Sequence, residues 1–239
     1  MPNYFIDSSC INGCNCLITG NDFYHLTRSR RVSKGDALTL VDENGRCFSA
    51  LVENVSSERI VCSVELIDLA KGEPFQLCLY AALLKGKKFD LVVRKAVETG
   101  IYRIVPVITE RCVVDYSEKS DAKNTRWRRI AEEAAKQSLR RQVPYVEDIR
   151  AFNDAIGDNW DERIIAHVSG DDFRIYARSA PSPRNAAIII GPEGGFSESE
   201  LKAAEKAGWR RIAFGFPQMR AETAAVVITA LIIYEWSVG

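Results

Sequence analysis

Two histidines, His25 and His167, are all that the sequence supplies, and a histidine-rich metal centre is thereby excluded. Net charge is also missing: 32 basic residues face 32 acidic ones, which removes any global attraction to nucleic acid and leaves only local patches to argue from. Low-complexity blocks are absent and glycine totals only 15, so disordered and collagen-like architectures drop out. No long hydrophobic run exists either. The longest, from Ala224 to Tyr234, is interrupted by Thr229 and stops at Glu235, short of the ~20 residues a bilayer requires. It reads as a buried core helix, and no membrane partner is expected. Met1 to Asp7 lack the basic and apolar regions of an export signal, so the expected address is cytoplasmic. The seven cysteines, an odd number, should then stay reduced. Cys10, Cys14 and Cys16 lie close together, yet a fourth ligand at zinc-type spacing is missing, and no metal is expected.

What is present divides into two grammars. Up to about residue 70 the signals are those of short strands. Segments 37–41 and 47–55 flank Asn44-Gly45, a pair suited to the positive φ of a tight hairpin. In 60–66, Ile60, Cys62, Val64 and Leu66 share one face, which should be buried. Several short strands in so few residues predict a small barrel or sandwich. Beyond Ala70-Lys71-Gly72-Glu73-Pro74, strands alternate with helices: strands at 76–83, 103–107, 163–166, 186–190 and 211–214, and a helix at 89–99 closed by Gly100. Such alternation predicts a mainly parallel sheet flanked by helices. The domains expected are therefore 1–70 and 74–239.

The sharpest local signal is Ile190-Gly191-Pro192-Glu193-Gly194-Gly195-Phe196-Ser197, a strand running into a glycine turn and a capped helix, with Ser197 and Glu200 spaced as a capping box. Glycines let a backbone approach a ligand closely, and in open α/β sheets ligands sit beyond the carboxyl ends of strands. A turn that only reverses the chain satisfies the same residues. Dinucleotide and Walker spacings are both absent. A second loop, Phe214 to Arg220, leaves a strand and enters a helix near Ala221, and the two loops together suit two walls of one pocket. Arg220 sits where the helix dipole disfavours a cation, which points either to a function or to a tolerated surface arginine. Basic residues cluster at Arg28, Arg30, Arg31 and Lys34, at Lys85, Lys87 and Lys88, and at Arg126, Arg128, Arg129, Arg140 and Arg141. Each cluster reads as a solvated face or as a set of phosphate contacts.

At these residues the chain resembles the bacterial small-subunit ribosomal RNA methyltransferases that act on uridine N(3), the RsmE-type branch of the SPOUT superfamily. The resemblance runs nearly end to end. It rests on His25-x-x-Arg28 with Lys34-Gly35-Asp36, Lys85-Gly86, Arg94-Lys95-Ala96-Val97-Glu98-Thr99-Gly100, Glu110-Arg111-Cys112, Gln137 with Arg140, the 190–197 turn, and Arg220-x-Glu222-Thr223-Ala224. It implies an α/β fold in which a PUA-like β-barrel precedes a SPOUT-type domain whose C-terminal segment forms a trefoil knot. It further implies S-adenosylmethionine as donor, 16S rRNA or the small ribosomal subunit as partner, and a homodimer. By the same resemblance Arg220 and Glu222 are the catalytic candidates. Ala166, His167, Val168, Gly191, Glu193, Gly194, Gly195, Phe214, Gly215, Gln218 and Met219 are expected at the donor. His25, Arg28, Arg31, Lys85 and Arg140 are expected at the RNA. A nucleotide-binding α/β enzyme of another class and a non-catalytic or retargeted RNA-binding relative are the alternatives.

Overall fold

A computed structural model describes residues 3–29, 31–68, 75–113, 120–179, 183–215 and 218–237. The chain divides into two compact units, one made of 1–72 with 135–143 and the other of 73–134 with 144–239. A cut at residues 70 to 74 falls outside the described residues, and it leaves out the 135–143 segment that belongs with the first unit.

The first unit is a six-stranded sheet formed by β1 (Asn3–Ile6), β2 (Ile11–Asn12), β3 (Asn15–Thr19), β4 (Ala37–Asp42), β5 (Cys47–Val55) and β6 (Arg59–Asp68), in the order β1-β4-β5-β6-β3-β2. Alternation along the strands turns Cys16, Ile18, Leu38, Leu40, Ala50, Val52, Ile60 and Cys62 inward to one apolar cluster. Leu66 breaks the expected pattern: it pairs with Phe48 of β5 but is exposed. The hairpin is present, but only Gly45 takes positive φ. The Asp42 carboxylate accepts the N–H groups of Asn44 and Arg46 and so holds the turn in place of a second left-handed residue. A helix not anticipated among the strands, α1 (Gly20–Ser29), buries Phe23 and Leu26 one turn apart against the same cluster. From the 135–143 segment, the Arg140 carbonyl accepts from Asn3 Nδ2 at 3.2 Å.

The second unit is an all-parallel sheet of β7 (Gln76–Ala82), β8 (Arg103–Ile108), β9 (Tyr145–Val146), β10 (Arg150–Ala151), β11 (Glu162–Asp172), β12 (Asn185–Ile190) and β13 (Arg210–Ala213), with β7 and β12 at its centre. Ile188, Ile189 and Ile190 of β12 are buried, as befits a strand covered on both faces. Helix α2 (Lys88–Thr99) buries Phe89, Val92, Val93, Ala96 and Val97 at helical spacing and ends on Gly100, whose φ of 108° accepts the left-handed C-terminal position. Helix α3 (Ser120–Gln137) turns Trp127 onto Phe89, ring centroids 4.4 Å apart. The short α4 (Phe152–Ala155) and α5 (Phe173–Ser179) follow, then α6 (Glu198–Lys206) and α7 (Ala221–Ser237). Helix α7 packs on α2, β7 and β12. It is not buried all round as its composition suggests: Ile228, Thr229 and Ile232 face inward while Tyr234 is 74% exposed.

Two local features position the site. Ser197 accepts the Glu200 N–H and the Glu200 carboxylate accepts the Ser197 N–H, so the capping box closes α6 immediately after the glycine turn. Replacing Ser197 with alanine should cost about 1 kcal/mol and lower Tm by a few degrees in a calorimetric scan. The second feature is an irregularity in β11. Its pairing with β13 jumps from Ala166 opposite Ile212 to Asp171 opposite the same Ile212, so His167, Val168, Ser169 and Gly170 stand out of the ladder. Gly170 lies against the backbone of Arg211 and Ile212, where an added Cβ would sit 2.5 Å from the Ile212 nitrogen.

Candidate active site

The carboxyl ends of β11, β12 and β13 open into one cleft of about 580 Å³. The β11 irregularity, the glycine turn after β12 and the loop after β13 form its rim, and the start of α7 closes one side. Ile190, Phe196, Ile212 and Ile228 supply an apolar floor.

Every residue expected at the donor lines this cleft except Gly194. The Gly194 carbonyl instead accepts from Arg111 Nη1 at 2.9 Å, and a Cβ there would stand 3.2 Å from the Arg111 side chain. Gly195 (φ 68°) and Gly215 (φ 69°) both adopt the left-handed conformation that glycine alone takes without strain. Gly191 has a different reason to lack a side chain: its Cβ would come within 3.0 Å of the Phe196 ring. Phe216 and Pro217 of the second loop lie outside the described residues.

Arg220 lines the cleft at the entry to α7, where it is exposed. Glu222, in the first turn of α7, is half-buried, and its Oε2 is buried with no hydrogen-bond partner. Beside them, Glu193 receives Lys88 Nζ on Oε1 at 2.6 Å. Burial opposes the Glu193 charge, but Lys88 and the Lys85 N–H outweigh it and hold the carboxyl below its usual range. The Lys88 ammonium is raised in turn, chiefly by that hydrogen bond. On the other rim, His167 Nδ1 lies 2.8 Å from Ser169 Oγ and accepts the Ser169 N–H. Burial first and the nearby Arg211 second push the His167 pKa down, which keeps the ring neutral near pH 7.

Residues just after β8 pin the glycine turn, and no contact was assigned to them from sequence. Besides Arg111, the Glu110 N–H donates to Glu200 Oε1 at 2.7 Å, and the Glu110 carboxylate accepts from Ser199. A charged pair immediately after a strand was the available signal. Lys88, likewise, stood only as one member of a basic run.

The residues expected at the RNA fall in both units: Lys85 in the second, the others in the first. On α1, the Arg28 guanidinium lies 5.5 Å from the centroid of the exposed Tyr24 ring. The His25 side chain lies outside what is described, as does Arg30. Arg31 is exposed and holds positive φ just beyond α1. Lys85 is exposed beside Glu193. Arg140 is only 9% exposed and follows Leu139, which holds φ 58°. Among the described residues no three His, Cys, Asp or Glu side chains gather as a metal-ligand set, and no helix is long and apolar enough to cross a membrane.

A ligand cleft at the carboxyl edge of a parallel sheet, carried on a chain with a separate β unit, defines the class. The family description "RNA methyltransferase domain" matches residues 71–233, and "RNA methyltransferase PUA domain" matches residues 18–65. Over its length the chain is 31% identical to ribosomal RNA small subunit methyltransferase E 2 of Borreliella burgdorferi, covering 95% of this chain and 94% of that one. It is 27% identical to ribosomal RNA small subunit methyltransferase E of Bacillus subtilis, covering 91% and 89%. The crystal structure of a ribosomal RNA small subunit methyltransferase E from Neisseria gonorrhoeae bound to S-adenosyl methionine superposes with a TM-score of 0.87 at 26% identity, covering 99% of this chain and 98% of that one. The chain belongs to the ribosomal RNA small subunit methyltransferase E family.

Proposed function

We propose that this protein transfers the methyl group of S-adenosylmethionine to N(3) of a uridine in 16S rRNA, acting in the cytoplasm as a homodimer. The observation that carries the reading is the convergence of two glycine-bearing turns, with Arg220 at the rim, on one apolar cleft. The cleft fits the donor: a bulky, uncharged adenine suits an apolar floor edged by backbone amides, and Gly191 lets the chain pass close to the Phe196 ring, where a side chain would not fit. When bound, the donor supplies a methyl group already activated on a sulfonium. What remains for the protein is alignment and the acceptor's proton.

The uracil imide must lose its N(3) proton, and the developing charge spreads to the adjoining carbonyl oxygens. Arg220 donates to one of them, a preorganised cation for an oxyanion. Glu222, with one buried oxygen unpaired, takes the proton or orients Arg220. Glu193, tied to Lys88 and Lys85, fixes the glycine turn against the α2 entrance. Arg28, Arg31 and Lys85 contact phosphates, and the acceptor base is presented unpaired or flipped at a cost of a few kcal/mol. The threaded C-terminal path is part of the proposal. It is supported by the close passage of Gly170 past Arg211 and Ile212 and by the return of α7 from the sheet edge to β7, β12 and α2.

The test is direct. Purified protein is incubated with methyl-labelled donor and small subunits lacking the mark, and the labelled base is mapped. Label on uridine N(3) is expected; binding without transfer would favour the RNA-binding alternative. Thermal stabilisation by NAD or ATP rather than by S-adenosylmethionine would favour another nucleotide enzyme. For the RNA surface, changing Arg28, Arg31 or Lys85 singly to alanine should reduce the slope of log affinity against log salt by about 1 each. An unchanged slope removes that residue from the interface.

A further inference from the structure

We propose that Lys88 is a second catalytic cation, which together with Arg220 grips the two carbonyl oxygens flanking the accepting nitrogen and thereby selects an imide base. The inference rests on the function proposed above and deepens it. Lys88 opens α2 and Arg220 leads into α7, two helices that pack on one another. Cations are disfavoured at helix N-termini, yet Lys88 is the first residue of α2 and Arg220 immediately precedes α7, at the edge of the donor cleft. Arg220 lines that cleft directly, and Lys88 is held at it by its 2.6 Å hydrogen bond to Glu193, another lining residue. An ammonium has three N–H donors. Glu193 takes one, which orients the side chain and leaves the remainder for a ligand. Lys88 also feels the charges of both Arg220 and Glu222, which places all three groups in one electrostatic neighbourhood.

The chemistry of the acceptor explains why two cations are useful. When uracil loses its N(3) proton, charge appears on O2 and O4, one on each side of the nitrogen. The N–H bond breaks with the proton passing to a base, for which Glu222 is placed. The nitrogen lone pair then forms the N–CH3 bond as the carbon–sulfur bond breaks, leaving a neutral thioether. A donor at each oxygen stabilises the anion at both sites. Cytosine carries an amino group in place of O4, so one of the two cations would face a donor and stay unpaired. Selection of the base follows from the same pair that accelerates the reaction.

The experiment compares wild-type, Lys88→Met and Lys88→Arg proteins on small subunits reconstituted with 16S RNA containing either uridine or 5-fluorouridine, whose imide is the stronger acid. Lys88→Met should lower kcat about 100-fold on uridine, a loss that persists at saturating S-adenosylmethionine and so exceeds any loosening of the donor cleft through the released Glu193. The deficit should shrink to within about 10-fold on 5-fluorouridine, because a more acidic imide needs less help, and Lys88→Arg should restore most of the rate. Full activity in Lys88→Met, or an equal loss on both RNAs with weakened donor binding, overturns the proposal: the lysine would then serve only to fasten Glu193. If the wild-type protein forms no N(3)-methyluridine at all, the functional reading itself fails and takes this one with it.

Discussion

Replacing Arg220 with alanine is expected to lower kcat by about 10²- to 10³-fold, the usual effect of removing one preorganised donor from a developing oxyanion. Donor affinity should change little, because the cleft is built mainly from the glycine turns and an apolar floor, and Arg220 stands exposed at its rim. Single-turnover rates with saturating S-adenosylmethionine, alongside donor Kd from calorimetry, separate the two quantities. Lysine at this position should recover only part of the rate, since a point charge lacks the planar fork of the guanidinium. Equal losses in rate and donor affinity would move Arg220 from the acceptor to the donor.

The largest effect on stability is expected from Gly170→Ala. The new methyl group would lie 2.5 Å from the Ile212 nitrogen and 2.6 Å from the Arg211 carbonyl carbon and oxygen. These are backbone atoms of an adjoining strand, and no side chain is available to swing aside. A loss of about 4 kcal/mol or more is expected, at the upper end of single substitutions, read from urea denaturation or from collapse of soluble yield. Gly13→Ala is the control. Nothing lies within 4 Å of its Cβ, so only the strain of φ 61° remains, about 1 kcal/mol. If Gly170→Ala costs no more than the control, β11 and β13 separate locally, and the close approach of Gly170 to Arg211 and Ile212 does not constrain this edge of the cleft.

The parallel sheet was legible because its strands are apolar runs punctuated by glycines, and burial on both faces leaves few other readings for Ile188-Ile189-Ile190. The glycine turn was legible because a capping box fixes its exit. Less local features were not. Helix α1 lies between strands, and its two inward residues, Phe23 and Leu26, satisfy helical or strand patterns equally until the tertiary cluster selects the helix. In the hairpin, Asp42 supplies through its carboxylate what the sequence pattern assigns to Asn44. The outward excursion at His167 to Gly170 has no composition signal, since it is set by β13, which arrives from forty residues later. Arg140 shows the opposite case: its basic cluster reads as surface, but Arg140 itself is buried. The roles of Glu110 and Arg111 were hidden for the same reason, because a side chain's partner across a sheet leaves no trace in its own neighbourhood.

The segment 135–143 gives the β unit an unusual debt to the middle of the chain. During vectorial synthesis the first seventy residues emerge without the piece that supplies the carbonyl partner of Asn3. The β unit therefore reaches its finished form only after much of the following unit has left the exit tunnel. Cutting the protein between residues 70 and 74 would give an N-terminal fragment without the carbonyl partner of Asn3, and a permuted or fused version carrying 135–143 is the fragment to make.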